Sequence, residues 1–190
     1  FRWTRGFNNL SFETLHSTFN ISALIYDGVD LLYAGVNRNH GIKILNPSTR
    51  SRTAKTIGPG YVSSLAFDSV GRLYAGINQT NFIGPRKDIQ IIDPSDGKII
   101  GTIAGTPNTQ ALAFNGLGQL YVGGVGNIKI INPSTKATIG TIPNTATAHS
   151  LAFDRAGNLY AGFNARNIQI INPSTKKIIG SIPNTTFTVA

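Results

Sequence analysis

The chain has 190 residues, 41% of them hydrophobic, with 17 lysines and arginines against 8 aspartates and glutamates, a formal charge of +9: one domain with material for a sizeable core, and a balance that favours anionic partners. With no cysteine, disulfides, thiolate metal sites and cysteine nucleophiles are excluded together. No run approaches the roughly 20 apolar residues of a membrane-spanning helix, the first residues do not form the apolar stretch of a signal peptide, and the lack of methionine is what a processed chain or an excerpt would show.

Four copies of one phrase align on Tyr33, Tyr74, Tyr121 and Tyr160, at spacings of 41, 47 and 39 residues. A period near 40 residues built only from short strands and tight turns predicts radially repeated or stacked units. In chain order, residues 1–22 form an arm with an outer strand between Leu10 and Leu15, because Phe12, Thr14, Leu15 and Leu24 fall on Ile139, Thr141, Ile142 and Leu151 when the two segments are slid together. The copies follow at 23–62, 63–109, 110–148 and 149–190. Each holds four strands, a to d. In the last, Ser150 to Phe153 and Leu159 to Gly162 flank a turn at 154–158 and make a hairpin. Ile168 to Ile171 and Ile178 to Ile182 make a second hairpin around Asn172 and Pro173, a pair that sets a type I turn. Strands b and c are apolar on nearly every residue (Leu120, Tyr121, Val122; Ile128, Ile130, Ile131), which predicts cover on both faces and copies packed face to face.

The phrases LAFDSVGRLYAG (Leu65 to Gly76) and LAFDRAGNLYAG (Leu151 to Gly162) resemble the NHL-type β-propeller repeat, and IQIINPSTKKIIGSIPNT (Ile168 to Thr185) resembles the second half of a YVTN-type repeat. The resemblance implies an all-β chain: a β-propeller with four four-stranded blades and an additional N-terminal outer strand. It also implies an extracellular location or display on a cell or particle surface. A β-solenoid is the alternative, but its repeats are usually shorter. One outer strand beyond four complete blades is one too many for a closed four-bladed ring, and predicts that further strands or blades, beyond Ala190 or in another subunit, complete a larger one. Propellers host lyases, lactonases, lectins and docking platforms alike, so the family habit does not choose a function.

Chemistry is sparse. Glu13 is the single glutamate, and the histidines His16, His40 and His149 show no HxH or HExxH spacing, whereas propeller lyases and lactonases need converging ligands or a general base. No catalytic residue, metal site or cofactor is expected. Asp27, Asp68, Asn115 and Asp154 recur at one turn position, which favours acceptance of backbone hydrogen bonds over ligand binding. No phosphate-cradling motif occurs.

The copies differ in one loop. Between the glycine of LYAG and the first isoleucine of strand c lie 6, 12, 4 and 5 residues in turn. Insertions confined to one rim mark a binding face. The longest, 77–88, carries Phe82, Arg86 and Lys87; Arg38, His40, Tyr61, His149, Asn164 and Arg166 are assigned to the same rim. The expected function is a non-enzymatic module that docks a protein, another copy of itself or another anionic partner there. An anionic polysaccharide or glycan bound between blades, as in a lectin, is the alternative, and a lyase or lactonase the third. Sequence-specific nucleic-acid binding is not expected, because no reading module or dense arginine cluster appears. Arg50, Arg52, Lys55, Lys136, Lys176 and Lys177 follow the c–d corners, where charge protects sheet edges from aggregation.

Overall fold

A computed structural model describes residues 20–36, 40–79, 87–164 and 166–185. The outer strand expected between Leu10 and Leu15 lies outside them. The described residues form sixteen strands in four antiparallel sheets. Blade 1 holds β1 (Ile21–Tyr26), β2 (Leu32–Val36), β3 (Ile42–Asn46) and β4 (Ser51–Ile57); blade 2 holds β5 (Val62–Phe67), β6 (Leu73–Ile77), β7 (Ile89–Ile92) and β8 (Ile99–Ile103). Blade 3 holds β9 (Thr109–Phe114), β10 (Leu120–Gly124), β11 (Ile128–Asn132) and β12 (Ala137–Ile142); blade 4 holds β13 (Ala148–Phe153), β14 (Leu159–Phe163), β15 (Ile168–Asn172) and β16 (Lys177–Ile182). Every sheet pairs its strands in sequence order, a to d. Inner strands pack successively, β1 on β5, β5 on β9 and β9 on β13, while β13 and β1 make no comparable contact. The four blades therefore form an open arc.

The turns are made by the residues the sequence singles out. Asp27 Oδ1 accepts from the N–H groups of Val29, Asp30 and Leu31; Asp68, Asn115 and Asp154 do the same two or four residues on. At the c–d corners Asn46, Asn132 and Asn172 accept from Ser48, Ser134 and Ser174 at 2.9, 2.9 and 3.0 Å. Each corner ends on a left-handed residue: Arg50, Gly97, Lys136 or Lys176.

Two bulges recur in all four blades, one near the start of the a–b pairing and one within the c–d pairing. In blades 2, 3 and 4 the c–d bulge ejects an unpaired isoleucine from the outer strand: Ile100, Ile139 and Ile179, all exposed. An extra residue on one strand bends it and increases its twist.

The core lies between blades. One cluster joins Tyr33, Ile42, Ile44 and Ile57 of blade 1 to Val62, Leu65, Leu73 and Ile92 of blade 2, and equivalent clusters join blades 2 and 3 and blades 3 and 4. Burial of both sheet faces is why strands b and c need no polar alternation. At each junction the strand-b tyrosine meets the next blade's inner-strand phenylalanine edge to face: Tyr33 with Phe67, Tyr74 with Phe114 and Tyr121 with Phe153, centroids 5.2, 5.1 and 4.9 Å apart. Such a pair adds about 0.5–1.5 kcal/mol beyond its buried area.

Inner strands begin slightly ahead of the boundaries expected at 23, 63, 110 and 149, at Ile21, Val62, Thr109 and Ala148. The last three extend there because each packs on the glycine closing strand b of the preceding blade. A β-carbon built at Gly35 would lie 2.6 Å from Val62 Cγ1, at Gly76 2.7 Å from Thr109 Cγ2, and at Gly123 2.8 Å from the Ala148 carbonyl oxygen. Backbone cannot yield as a side chain can, so Gly123→Ala should cost about 1–3 kcal/mol by forcing blades 3 and 4 apart. Gly116→Ala, with nothing within 4 Å, is the control and should be nearly neutral. Equal urea midpoints for the two variants would contradict this packing.

Candidate functional site

The b–c loops and the d–a connections share one rim. A repeated polar staple anchors it in blades 2, 3 and 4. Thr106, Thr145 and Thr185, just past strand d, each donate from Oγ1 to the strand-d carbonyl three residues back (2.6, 2.6 and 2.8 Å) and accept from the first N–H of strand c, at Ile89, Ile128 and Ile168 (2.9, 2.9 and 2.7 Å). Their own N–H groups donate to Asp88, Asn127 and Asn167 at 2.7, 3.2 and 3.3 Å. The first N–H of strand c, the last carbonyl of strand d and the threonine's own N–H, groups freed where the sheet ends, are thereby satisfied close to the loop base.

Beyond the staple, Tyr61, Asn108 and Thr147 each precede an inner strand in the left-handed conformation, with φ of 60°, 52° and 67°. Between blades 2 and 3 this leaves a cleft of about 290 Å³, lined by residues 105–109 on one side and by Val122, Gly124, Asn127 and Lys129 on the other. Asn108 forms part of its wall, is 1% exposed, and has neither amide atom hydrogen-bonded. A buried primary amide with donor and acceptor both unused costs several kcal/mol unless something supplies partners. The Lys129 ammonium donates to the Gly105 carbonyl at the cleft edge.

The sequence-assigned rim residues fall into three groups. His40 sits beside the start of β3 and Tyr61 accepts through its carbonyl from the Asn78 N–H at 3.0 Å; Lys87 is exposed, and its N–H donates to the buried Gln79 side chain at 3.1 Å. Asn164 and Arg166 are exposed on the blade 4 loop, where Arg166 Nη1 donates to the Asn144 carbonyl at 3.1 Å and its guanidinium lies 5.7 Å from the Phe163 ring centroid. Arg38, Phe82 and Arg86 lie outside the described residues. His149 is not in a loop: it is the second residue of β13, in register with Ser22 and Ser63, with Nε2 buried and unpartnered.

Asn108 and the staple threonines were not among the sequence candidates. Their signal is present in the recurrent Pro-Asn-Thr at 107–109, 143–145 and 183–185, but the same letters serve different positions: Asn108 follows the staple threonine, whereas Asn144 precedes it.

At the opposite rim the lysines have neighbours. Lys55 Nζ donates to the Ser95 carbonyl at 2.6 Å, across the junction of blades 1 and 2. β-Carbons built at Gly101 and Gly140 would lie 2.8 and 2.7 Å from Lys136 and Lys176 Nζ, each lysine belonging to the next blade. Part of the basic excess therefore packs between blades, in addition to edge protection. Asp154 is held below the usual carboxylate range by the Asn158 side chain, and Asp93 by the Ser95 hydroxyl. Among the described residues no three His, Asp or Glu side chains gather closely enough to hold a metal ion, and no helix is long and apolar enough to cross a membrane.

Four sheets of four sequentially paired strands, packed face to face on their inner strands, define a β-propeller architecture. Solved structures agree. The chain is similar to one in the crystal structure of the mitotic checkpoint complex (TM-score 0.68, 18% identity, 86% of this chain and 51% of that one) and to the WD40 repeats of RRP9 (0.68, 17%, 85% and 50%). It is also similar to a chain of hydrazine synthase from Kuenenia stuttgartiensis (0.70, 13%, 87% and 50%). It spans about half the length of the solved chains it matches. No protein-family model and no curated protein matches it. At these identities the likeness is one of fold, and the chain is a β-propeller repeat protein.

Proposed function

We propose that this propeller, of NHL or YVTN repeat type, is a non-enzymatic docking module displayed outside the cell or on a particle surface, and that its b–c rim takes an extended segment of a protein partner carrying acidic residues. The observation that carries this is the cleft between blades 2 and 3. Asn108 lines it with a buried carboxamide whose Nδ2 and Oδ1 have no protein hydrogen-bond partner, groups that a peptide or side-chain amide would match, while Val122 and Val125 supply apolar wall. The last residue of the longest b–c loop, Asp88, is joined to this cleft through the hydrogen bond from Thr106 N–H, and in sequence that loop carries Phe82, Arg86 and Lys87. Basic residues there raise association rate and specificity more than affinity, and the apolar anchor supplies the affinity.

The test keeps the structural parts of the loop. Ile77 and Gln79 are buried and Asp88 is stapled, so only residues 80–86 are removed; in a second variant Asn108→Gly deletes the amide while keeping the left-handed backbone. Both variants and the native chain are immobilised and exposed to an extract of the source cells and their medium. One protein retained by the native chain, lost by both variants and then bound directly after purification is the expected result. Identical retention by all three would refute the reading. Saturable glycan binding at several equivalent sites per chain would favour the lectin instead.

A further inference from the structure

The junction between successive blades is built three times from the same contacts, and a fourth set stands half-made at each end of the arc. In the complete junctions the strand-b tyrosine meets the next blade's inner-strand phenylalanine, the glycine two residues later receives the first inner-strand residue, and a corner lysine covers an outer-strand glycine at Gly101 and Gly140. Ser22 and Ser63 add hydroxyl donation to the carbonyls of Val62 and Thr109 across the first two.

At blade 4 the receiving half is present without a complement among the described residues. Tyr160 and Ile170 are partly exposed, where their counterparts Tyr33, Tyr74, Tyr121 and Ile44, Ile91, Ile130 are buried. A β-carbon at Gly162 would meet only Ser150 of its own blade, and one at Gly180 only Ile170. At blade 1 the inserting half is present without a receiver among the described residues. Tyr26 stands in register where Phe67, Phe114 and Phe153 stand, and is 44% exposed; Ile21 takes the place of Val62 and is 38% exposed. Leu24, the counterpart of the buried Leu65 and Leu112, is 57% exposed. Arg50 occupies the corner of Lys136 and Lys176 with the same left-handed φ, 52° against 59° and 57°.

We propose that the free face of blade 4 takes the free face of blade 1 of a second copy, head to tail. Two chains then close a ring of eight blades about a twofold axis, within the four to eight blades usual for propellers. In each new junction Tyr26 packs on Tyr160, Ile21 enters the space at Gly162, and Arg50 covers Gly180. The occupant is a second copy because each end supplies what the other lacks at three separate register points, in the chemistry the chain already uses internally. The proposal is independent of the docking reading, which concerns the rim and not the blade faces.

The experiment is sedimentation velocity on the 190-residue chain, with Tyr160→Lys, Tyr26→Lys and an equimolar mixture of the two. The native chain should sediment at twice its 20.3 kDa mass at tens of micromolar. Each substitution alone breaks both junctions of the ring and should weaken dimerisation by about 100-fold or more, with the far-ultraviolet dichroism of the blades retained. The mixture keeps one native junction and should recover dimer. A monomeric native chain at these concentrations, a dimer indifferent to both substitutions, or a mixture that stays monomeric would each overturn the proposal, the first in favour of another occupant such as additional blades of a longer chain.

Discussion

Ile130→Asp should abolish the folded state. Ile130 is 4% exposed in β11, inside the cluster that joins Tyr121, Ile128 and Ile142 of blade 3 to Leu159 and Ala161 of blade 4. A carboxylate there replaces the isoleucine's packing with a charge inside an apolar cluster, either ionised against that burial or protonated at the expense of its pKa, and Lys176 Nζ, beside the paired Gly140, offsets part of the cost. The combined cost exceeds about 4–5 kcal/mol, comparable to the whole stability of a domain. Ile130→Val removes one methyl and should cost only about 0.5–1.5 kcal/mol. The same aspartate at Ile170, whose face lies at the open end of the arc, should leave a folded chain. A soluble, cooperatively melting Ile130→Asp variant would contradict the blade-on-blade core.

The second large effect is alkaline. Burial raises the phenols of Tyr33, Tyr74 and Tyr121, with Asp27 and Asp30 adding to the shift at Tyr33; Tyr74 is pushed up to about 12. The neutral form is the one the fold favours, so the stabilisation is complete below the unfolded pKa of about 10 and disappears as pH rises through the folded value. Stability should fall steeply between about pH 10 and 12, and phenolate absorbance from these three tyrosines should appear together with loss of dichroism. Tyr74→Phe, which keeps the edge-to-face partner of Phe114 and removes the ionisable group, should flatten part of that fall. A smooth phenolate titration with the dichroism unchanged would show these rings to be wetter than their packing indicates.

The sequence carries the fold through redundancy. One LAFD-turn-LYAG phrase is ambiguous, but four in register expose which positions geometry constrains: the turn aspartate or asparagine, the strand-b tyrosine and the glycine that follows it. The strand-d bulges were not legible, since Ile139 and Ile179 read as ordinary members of an apolar alternation. The candidate site was legible only in outline. Loop length pointed to the rim, but the cleft depends on which residues of two blades oppose one another across a junction, and the lack of hydrogen-bond partners at Asn108 is a property of that surrounding and not of the letter. His149, assigned to the rim, stands second in β13, a placement set by where the inner strand begins and not by the residue type.

The threonine staple has an evolutionary consequence. Because it completes the backbone hydrogen bonding of strands c and d at the loop base, whatever lies beyond is insulated from the sheet, and lengthening it disturbs no ladder. Loops of 12, 4 and 5 residues leave blades 2, 3 and 4 through the same threonine-centred gate, and chain closure charges little for the difference in length. Selection can therefore rewrite the rim of one blade at a time, changing what is recognised without renegotiating how the propeller folds.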